Sequence, residues 1–178
     1  QWTPRPAMRQ SITVRAVGES LPDAGLRLRI SGDNLPATLA SIIATPTDGL
    51  HPDNPTAAVP LVDVGQALVP IQQDLTGKAA LIRRGGGYFV QKLQYAAEAG
   101  ATFAVMYNNS GGTEPFFING ADVQFSRLPA VAITQNDGEA LAAFLAEHPE
   151  TKAQLFLDKL TVPLWVSDTL QCEHVALK

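Results

Sequence analysis

The sequence contains one cysteine, Cys172, in 178 residues. No internal disulfide can form, no paired-cysteine metal site is available, and cysteine gives no reading of redox compartment. Basic charge is also scarce: 13 Lys and Arg stand against 17 Asp and Glu, a net charge of −4. Without a basic stripe to displace counterions, nucleic acid is excluded as a partner. No apolar run approaches the length of a membrane span, and no signal peptide is recognisable. Catalytic signatures are missing too, with no H-E-x-x-H, no EF-hand loop and no G-x-S-x-G. What remains is the composition of a globular protein, 46% hydrophobic and 17% charged, long enough for one core-forming domain. Few lysines and thirteen prolines fit a secreted or cell-surface bacterial protein.

The densest information lies between Gly77 and Asn109. Ala79 to Ile82 is a short apolar run suited to a strand buried on both faces. Arg83-Arg84 end it, and Gly85-Gly86-Gly87 let the backbone turn sharply. Phe89, Leu93, Ala96, Ala97 and Gly100 then recur at helical spacing, with Gln91, Lys92, Gln94 and Glu98 on the polar positions. Small residues allow this helix to lie close on a sheet, and Gly100 stands where a left-handed C-terminal residue is expected. Ala101 to Tyr107 reads as a second buried strand, closed by the turn Asn108-Asn109-Ser110-Gly111-Gly112. Strand, helix and strand at this spacing predict a right-handed βαβ crossover.

Two arginines and three glycines before a helix make an anion site conceivable. The phosphate fingerprints fail, however. Gln72 and Ala79 occupy P-loop positions that require Gly and Ser or Thr, and Val90 stands at the last glycine of G-x-G-x-x-G. A tight turn carrying an exposed binding loop is the better reading.

Elsewhere, Ser11–Val17 and Leu26–Ile30 alternate as antiparallel strands joined by a turn from Gly18 to Gly25. Thr38–Ala44 and Leu61–Val64 are strand candidates separated by the Pro- and Asp-rich loop Thr45–Pro60. Thr134 is the expected N-cap of a second helix, with Asp137 three residues on and Leu141, Phe144 and Leu145 as its buried stripe. Ala153–Leu157 and Val162–Val166 read as late strands. The final alternation from Glu173 to Lys178 carries no ending signal, as expected of a chain that leads into a further domain.

Taken together, Gly77-Lys78, Arg84-Gly85-Gly86-Gly87-Tyr88-Phe89, Lys92, Ala96, Ala99-Gly100-Ala101 and Tyr107-Asn108-Asn109 resemble the protease-associated (PA) domain pattern. The segment Leu128-Pro129-Ala130-Val131-Ala132-Ile133-Thr134, followed by Asp137-Gly138 and Leu141, is similar to that family's closing segment. The resemblance implies an α+β fold: a curved or closed β core with a βαβ crossover, two flanking helices and extra N- and C-terminal strands. It divides the chain into N-terminal strands at 1–36, a PA-like domain at 37–157 and C-terminal strands at 158–178. Gly87 stands where many members carry Cys, so this loop holds its shape without a disulfide. The implied role is a non-catalytic domain of a larger secreted peptidase, which binds peptide or protein or gates substrate access to a neighbouring catalytic domain.

The candidate binding residues are Arg84, Gly85, Gly86, Gly87, Tyr88 and Phe89 in one loop and Asn108, Asn109 and Ser110 in the next. They would supply backbone donors and aromatic contacts to extended peptide. Phe116 and Phe117 are either further anchors or staples of a long loop. No catalytic residue, metal ligand or cofactor is assigned. Two alternatives stand beside this reading. Asp48, His51 and Asp53 form D-x-x-H-x-D, which would serve a small metal-dependent hydrolase, although a solvated loop is the better reading of them. A purely structural spacer is the other. Asn108-Asn109-Ser110 is formally a glycosylation sequon, for which a structural turn is the default.

Overall fold

The computed structural model describes residues 14–15, 25–50, 55–118, 126–157 and 165–166. The chain divides into two compact units, residues 25–158 and a smaller one formed by 1–24 with 159–178. In the smaller unit, β1 (Val14–Arg15) pairs antiparallel with β10 (Trp165–Val166).

The larger unit holds an eight-stranded mixed sheet and two helices, an α+β arrangement. Its strands are β2 (Leu26–Ser31), β3 (Ser41–Ile43), β4 (Thr45–Pro46), β5 (Val59–Asp63), β6 (Ala79–Arg83), β7 (Phe103–Tyr107), β8 (Ala130–Ile133) and β9 (Lys152–Leu157). They lie in the order β3-β2-β9-β5-β6-β7-β8-β4. β5, β6, β7 and β8 run parallel, and the other pairings are antiparallel. The two ends of this order, β3 and β4, are separated in the chain by Ala44 alone. A single residue cannot bridge the width of a flat sheet, so the sheet curls until its edges meet.

Of the hairpin expected between Ser11–Val17 and Leu26–Ile30, the turn as far as Ala24 and all of the first strand but Val14–Arg15 lie outside the described residues, and the described pairings differ from it. Both edges of β2 are already occupied, by β3 and β9, and β1 pairs with β10 instead.

Period-two alternation in β6, β7 and β8 feeds two separate cores. Ala79, Leu81, Phe103, Val105, Tyr107, Val131 and Ile133 face inward with Leu28, Ile42 and Leu155, and are covered by Leu141 and Leu145 of α2 (Gln135–Glu147). Ala80, Ile82, Ala104, Met106, Ala130 and Ala132 face outward and pack under Leu93 and Ala96 of α1 (Phe89–Glu98). Burial on both faces explains why these strands read as continuous apolar runs.

Local chemistry sets the helix ends. At the C-terminus of α1, Gly100 adopts φ +91° and its N–H donates to the Ala97 carbonyl, while Ala101 N–H donates to Ala96. These are the two bonds of a Schellman motif. For α2, the Thr134 hydroxyl oxygen accepts from Asp137 N–H at 3.2 Å and donates to the Asp137 carboxylate at 2.6 Å. Gly138 brings this helix hard against the sheet: a Cβ there would stand 2.1 Å from Cβ of Tyr107.

Candidate functional site

β6 and β7 pair parallel with Arg83 opposite Tyr107, so the residues that follow them leave the sheet side by side. Arg84 N–H donates to the Tyr107 carbonyl at 2.9 Å, and Arg84 Nη1 donates to Asn108 Oδ1 at 2.9 Å. The same Oδ1 accepts from Asn109 N–H at 3.0 Å, while Asn108 N–H reaches the Ile133 carbonyl at the end of β8. Buried Asn108 therefore ties together the ends of three neighbouring strands. The Arg84 guanidinium also lies 5.7 Å from the ring of Phe89 and 5.5 Å from that of Phe116, within cation–π range of both.

The glycine loop between Arg84 and α1 depends on backbone freedom. Gly85 and Gly86 have φ of +122° and +71°, a region that side-chain-bearing residues rarely occupy. A Cβ on Gly86 would also come within 2.9 Å of Leu68 Cδ2. The loop thus runs tight against the segment that follows β5, a third wall absent from the sequence reading.

Lys92 anchors that wall. The helical period placed it on the polar face of α1, yet it is 1% exposed. The cause is a distant acceptor: Lys92 Nζ donates to the Gln66 carbonyl, so the ammonium is hydrogen-bonded although its stem is buried. Burial holds its pKa below the ordinary lysine value of 10.5. With Lys92, Arg84 and Asn108 in place, the loop carrying Gly87 is braced by polar links.

Around this braced centre lie apolar side chains left in water. Tyr88 is 78% exposed, Val69 70%, Phe117 67% and Leu68 47%. The two phenylalanines thus divide: Phe116 is buried against Phe89, ring centroids 6.4 Å apart, and staples its loop, while Phe117 projects outward. Asn109 and Ser110 are exposed in the turn after β7. That turn is held to α2 by Gly112 N–H donating to Gln135 Oε1 and by Asn136 N–H donating to the Gly112 carbonyl. The predicted residues therefore do converge, but in two roles. Arg84, Phe89 and Asn108 brace the site from within, and Gly86, Gly87, Tyr88, Asn109 and Ser110 form its exposed surface. Leu68 and Val69 were missed, because nothing in their local sequence marks them as neighbours of the glycines.

Catalytic groupings are not assembled among the described residues. No imidazole is bonded to Ser110, and no three His, Cys, Asp or Glu side chains converge as a metal site requires. Asp48 is exposed, and His51 and Asp53 lie outside the described residues, as do Cys172 and His174. His148 caps the C-terminus of α2, stacked on Phe144 with its Nδ1 3.4 Å from Glu150. The sequon asparagine, Asn108, is 6% exposed with its amide oxygen engaged twice, so the folded domain does not offer it for glycosylation. Tyr107, just behind the site, has its pKa raised, first by burial and then by the carboxylate of Asp63.

Comparison with known proteins places this geometry in a family. Residues 37–141 match the family model described as PA domain. The minor extracellular protease Vpr of Bacillus subtilis is 37% identical over 99 residues, covering 56% of this chain and 11% of that protein. A probable leucine aminopeptidase 2 of Aspergillus fumigatus is 36% identical over 107 residues, covering 59% of this chain and 21% of that protein. Among solved structures, an aminopeptidase from Aneurinibacillus sp. strain AM-1 superposes with a TM-score of 0.55 at 28% identity, over 87% of this chain and 34% of that one. The chain therefore spans a minor part of the length of each of these relatives.

Proposed function

This chain belongs to the PA domain family, and we propose that it serves as the non-catalytic accessory domain of a larger secreted peptidase. In this reading it binds peptide or protein segments, or gates their access to a catalytic domain on the same polypeptide. The observation that carries the reading is the set of exposed apolar side chains, Leu68, Val69, Tyr88 and Phe117, on segments that include or adjoin the loops braced by Arg84, Asn108 and Lys92. Exposed aromatic anchors on a preorganised frame favour association, since little ordering entropy remains to be lost on binding.

The relatives support the accessory role from another direction. One is named an extracellular protease and another a leucine aminopeptidase, yet both share this segment. A segment common to proteins of different named activities, and without a nucleophile–base pair among its described residues, fits recognition better than chemistry. Secretion of this chain is part of the same proposal. The test is a binding measurement against unfolded casein with Tyr88→Ala and Leu68→Ser variants. Affinity should fall at least tenfold in each while both remain folded; unchanged affinity, or hydrolysis of the casein by this chain, would refute the reading.

A further inference from the structure

A second surface lies apart from the glycine loop, where the curled sheet fails to close. Between β2 and β3 the ladder alternates strictly. Ile30 N–H donates to Ala40, Ala44 N–H donates to Leu26, and Leu28 stands opposite Ile42 between them. Ala40, Ile42 and Ala44 thus turn their peptide groups toward β2, and Ser41, Ile43 and Thr45 turn theirs away. Thr45 finds a partner on that far side, Ala132 of β8. Continued in the same register, Ile43 would meet Thr134 and Ser41 would meet Asn136. Neither pairing forms, because Thr134 caps α2 and Asn136 lies in its first turn.

Two peptide units on one strand edge, about 6.6 Å apart, are left without ladder partners. They border a cavity of about 330 Å³, with Ser41 and Ile43 on one wall and Thr113, Pro115, Thr134 and Asp137 on the other. The edge is reachable, since Ser41 is exposed and Ile43 is 56% exposed. A sheet edge of this kind is ordinarily covered or charged; here Arg27 of β2 lines the same cavity, and no strand covers the edge among the described residues.

We infer that this open seam accepts a short extended segment of another polypeptide as an added strand on Ser41 and Ile43. Main-chain groups supply the recognition. The N–H and C=O of both residues bond one edge of the guest, and the Asp137 carboxylate opposite accepts from an N–H on its other edge. The Thr134 hydroxyl donates to one Asp137 oxygen, so the other is the acceptor this wall offers, in a cavity that Arg27 also lines. Exposed Ile43 selects an apolar side chain beside it. The seam uses none of the glycine-loop residues, so it stands independently of the proposed loop site.

The test begins with an array of capped random octapeptides probed with the whole chain. Hydrogen exchange with the strongest binder should slow the Ser41 and Ile43 amides at least tenfold. Ile43→Pro removes an outward-facing N–H without breaking the β2–β3 ladder, and should weaken that binder at least tenfold. Ile43→Arg keeps the N–H and should retain measurable binding. Should the proline variant fail to fold, N-methylation of alternate residues in the peptide tests the same bonds from the guest's side and should abolish binding in one phase only. The inference is overturned by an array without binders, by binders that protect only residues 68–69 and 86–88, by affinity unchanged on proline substitution or N-methylation, or by sedimentation showing that the free chain already pairs two copies through this edge.

Discussion

The parallel strand ends at β6 and β7 and the seam between β3 and β8 solve the same problem in opposite ways. In both places neighbouring strands diverge and leave backbone and side-chain polar groups to be satisfied. At β6 and β7 the chain closes the gap itself, through Arg84 to Asn108, Asn108 to β8 and Lys92 to Gln66. At the seam the strand running from Ser41 to Pro46 changes partners, and the start of α2 replaces the strand that would have covered Ile43. One region is rigid and presents side chains, whereas the other is open and presents main chain. On the two proposals made above, the fold offers one recognition surface of side chains and another of main chain.

The largest effect is expected where the two regions meet. Gly138 lies in the first turn of α2, one wall of the seam, and touches Tyr107 at the end of β7. Gly138→Ala would force a methyl into the space of Tyr107 Cβ and Cγ, and is expected to destabilise by about 3 kcal/mol. Denaturant unfolding measures it, and a loss below about 0.5 kcal/mol would mean that helix and sheet are not in register as described. Next comes the closed region. Arg84→Ala removes a charged donor from buried Asn108 and should cost about 2 kcal/mol, with faster exchange of the Asn109 amide as the local sign.

Lys92→Met should have a smaller effect, about 1 kcal/mol at neutral pH, and a distinctive pH signature. Because the folded pKa of Lys92 lies below 10.5, the unfolded state binds more protons between the two values, and its contribution to stability rises with pH across that window. The difference between wild type and Lys92→Met should therefore grow with pH there; a constant difference would contradict the buried ammonium. Smallest is Tyr88→Ala, expected within about 0.5 kcal/mol of wild type in stability because the ring is solvent-exposed, yet damaging to binding. A thermal melt alongside a binding isotherm separates the two.

Much of the closed region was legible in the sequence. Apolar runs buried on both faces, the Gly100 cap and the Thr134 N-cap all follow from local chemistry, and the structure carries each of them. Lys92 was placed wrongly because helical periodicity sorts residues by type, and a buried ammonium needs an acceptor that a distant loop supplies. The pairing of β2 was misread because its partner β9 lies near the other end of the chain, whereas alternation favours the nearest strand. Leu68, Val69 and the seam share that cause: each is defined by which strand ends become neighbours, and no local pattern encodes it.

The role proposed for the braced loops is recognition without chemistry. The most direct measurement is an amide-resolved NMR titration of the isotope-labelled chain with unlabelled, unfolded casein, followed by mass analysis of the casein from the same tube. Shifts centred on residues 68–69 and 86–88 are expected, with the casein recovered intact. Cleaved casein, or a titration that leaves those amides unmoved, would contradict it.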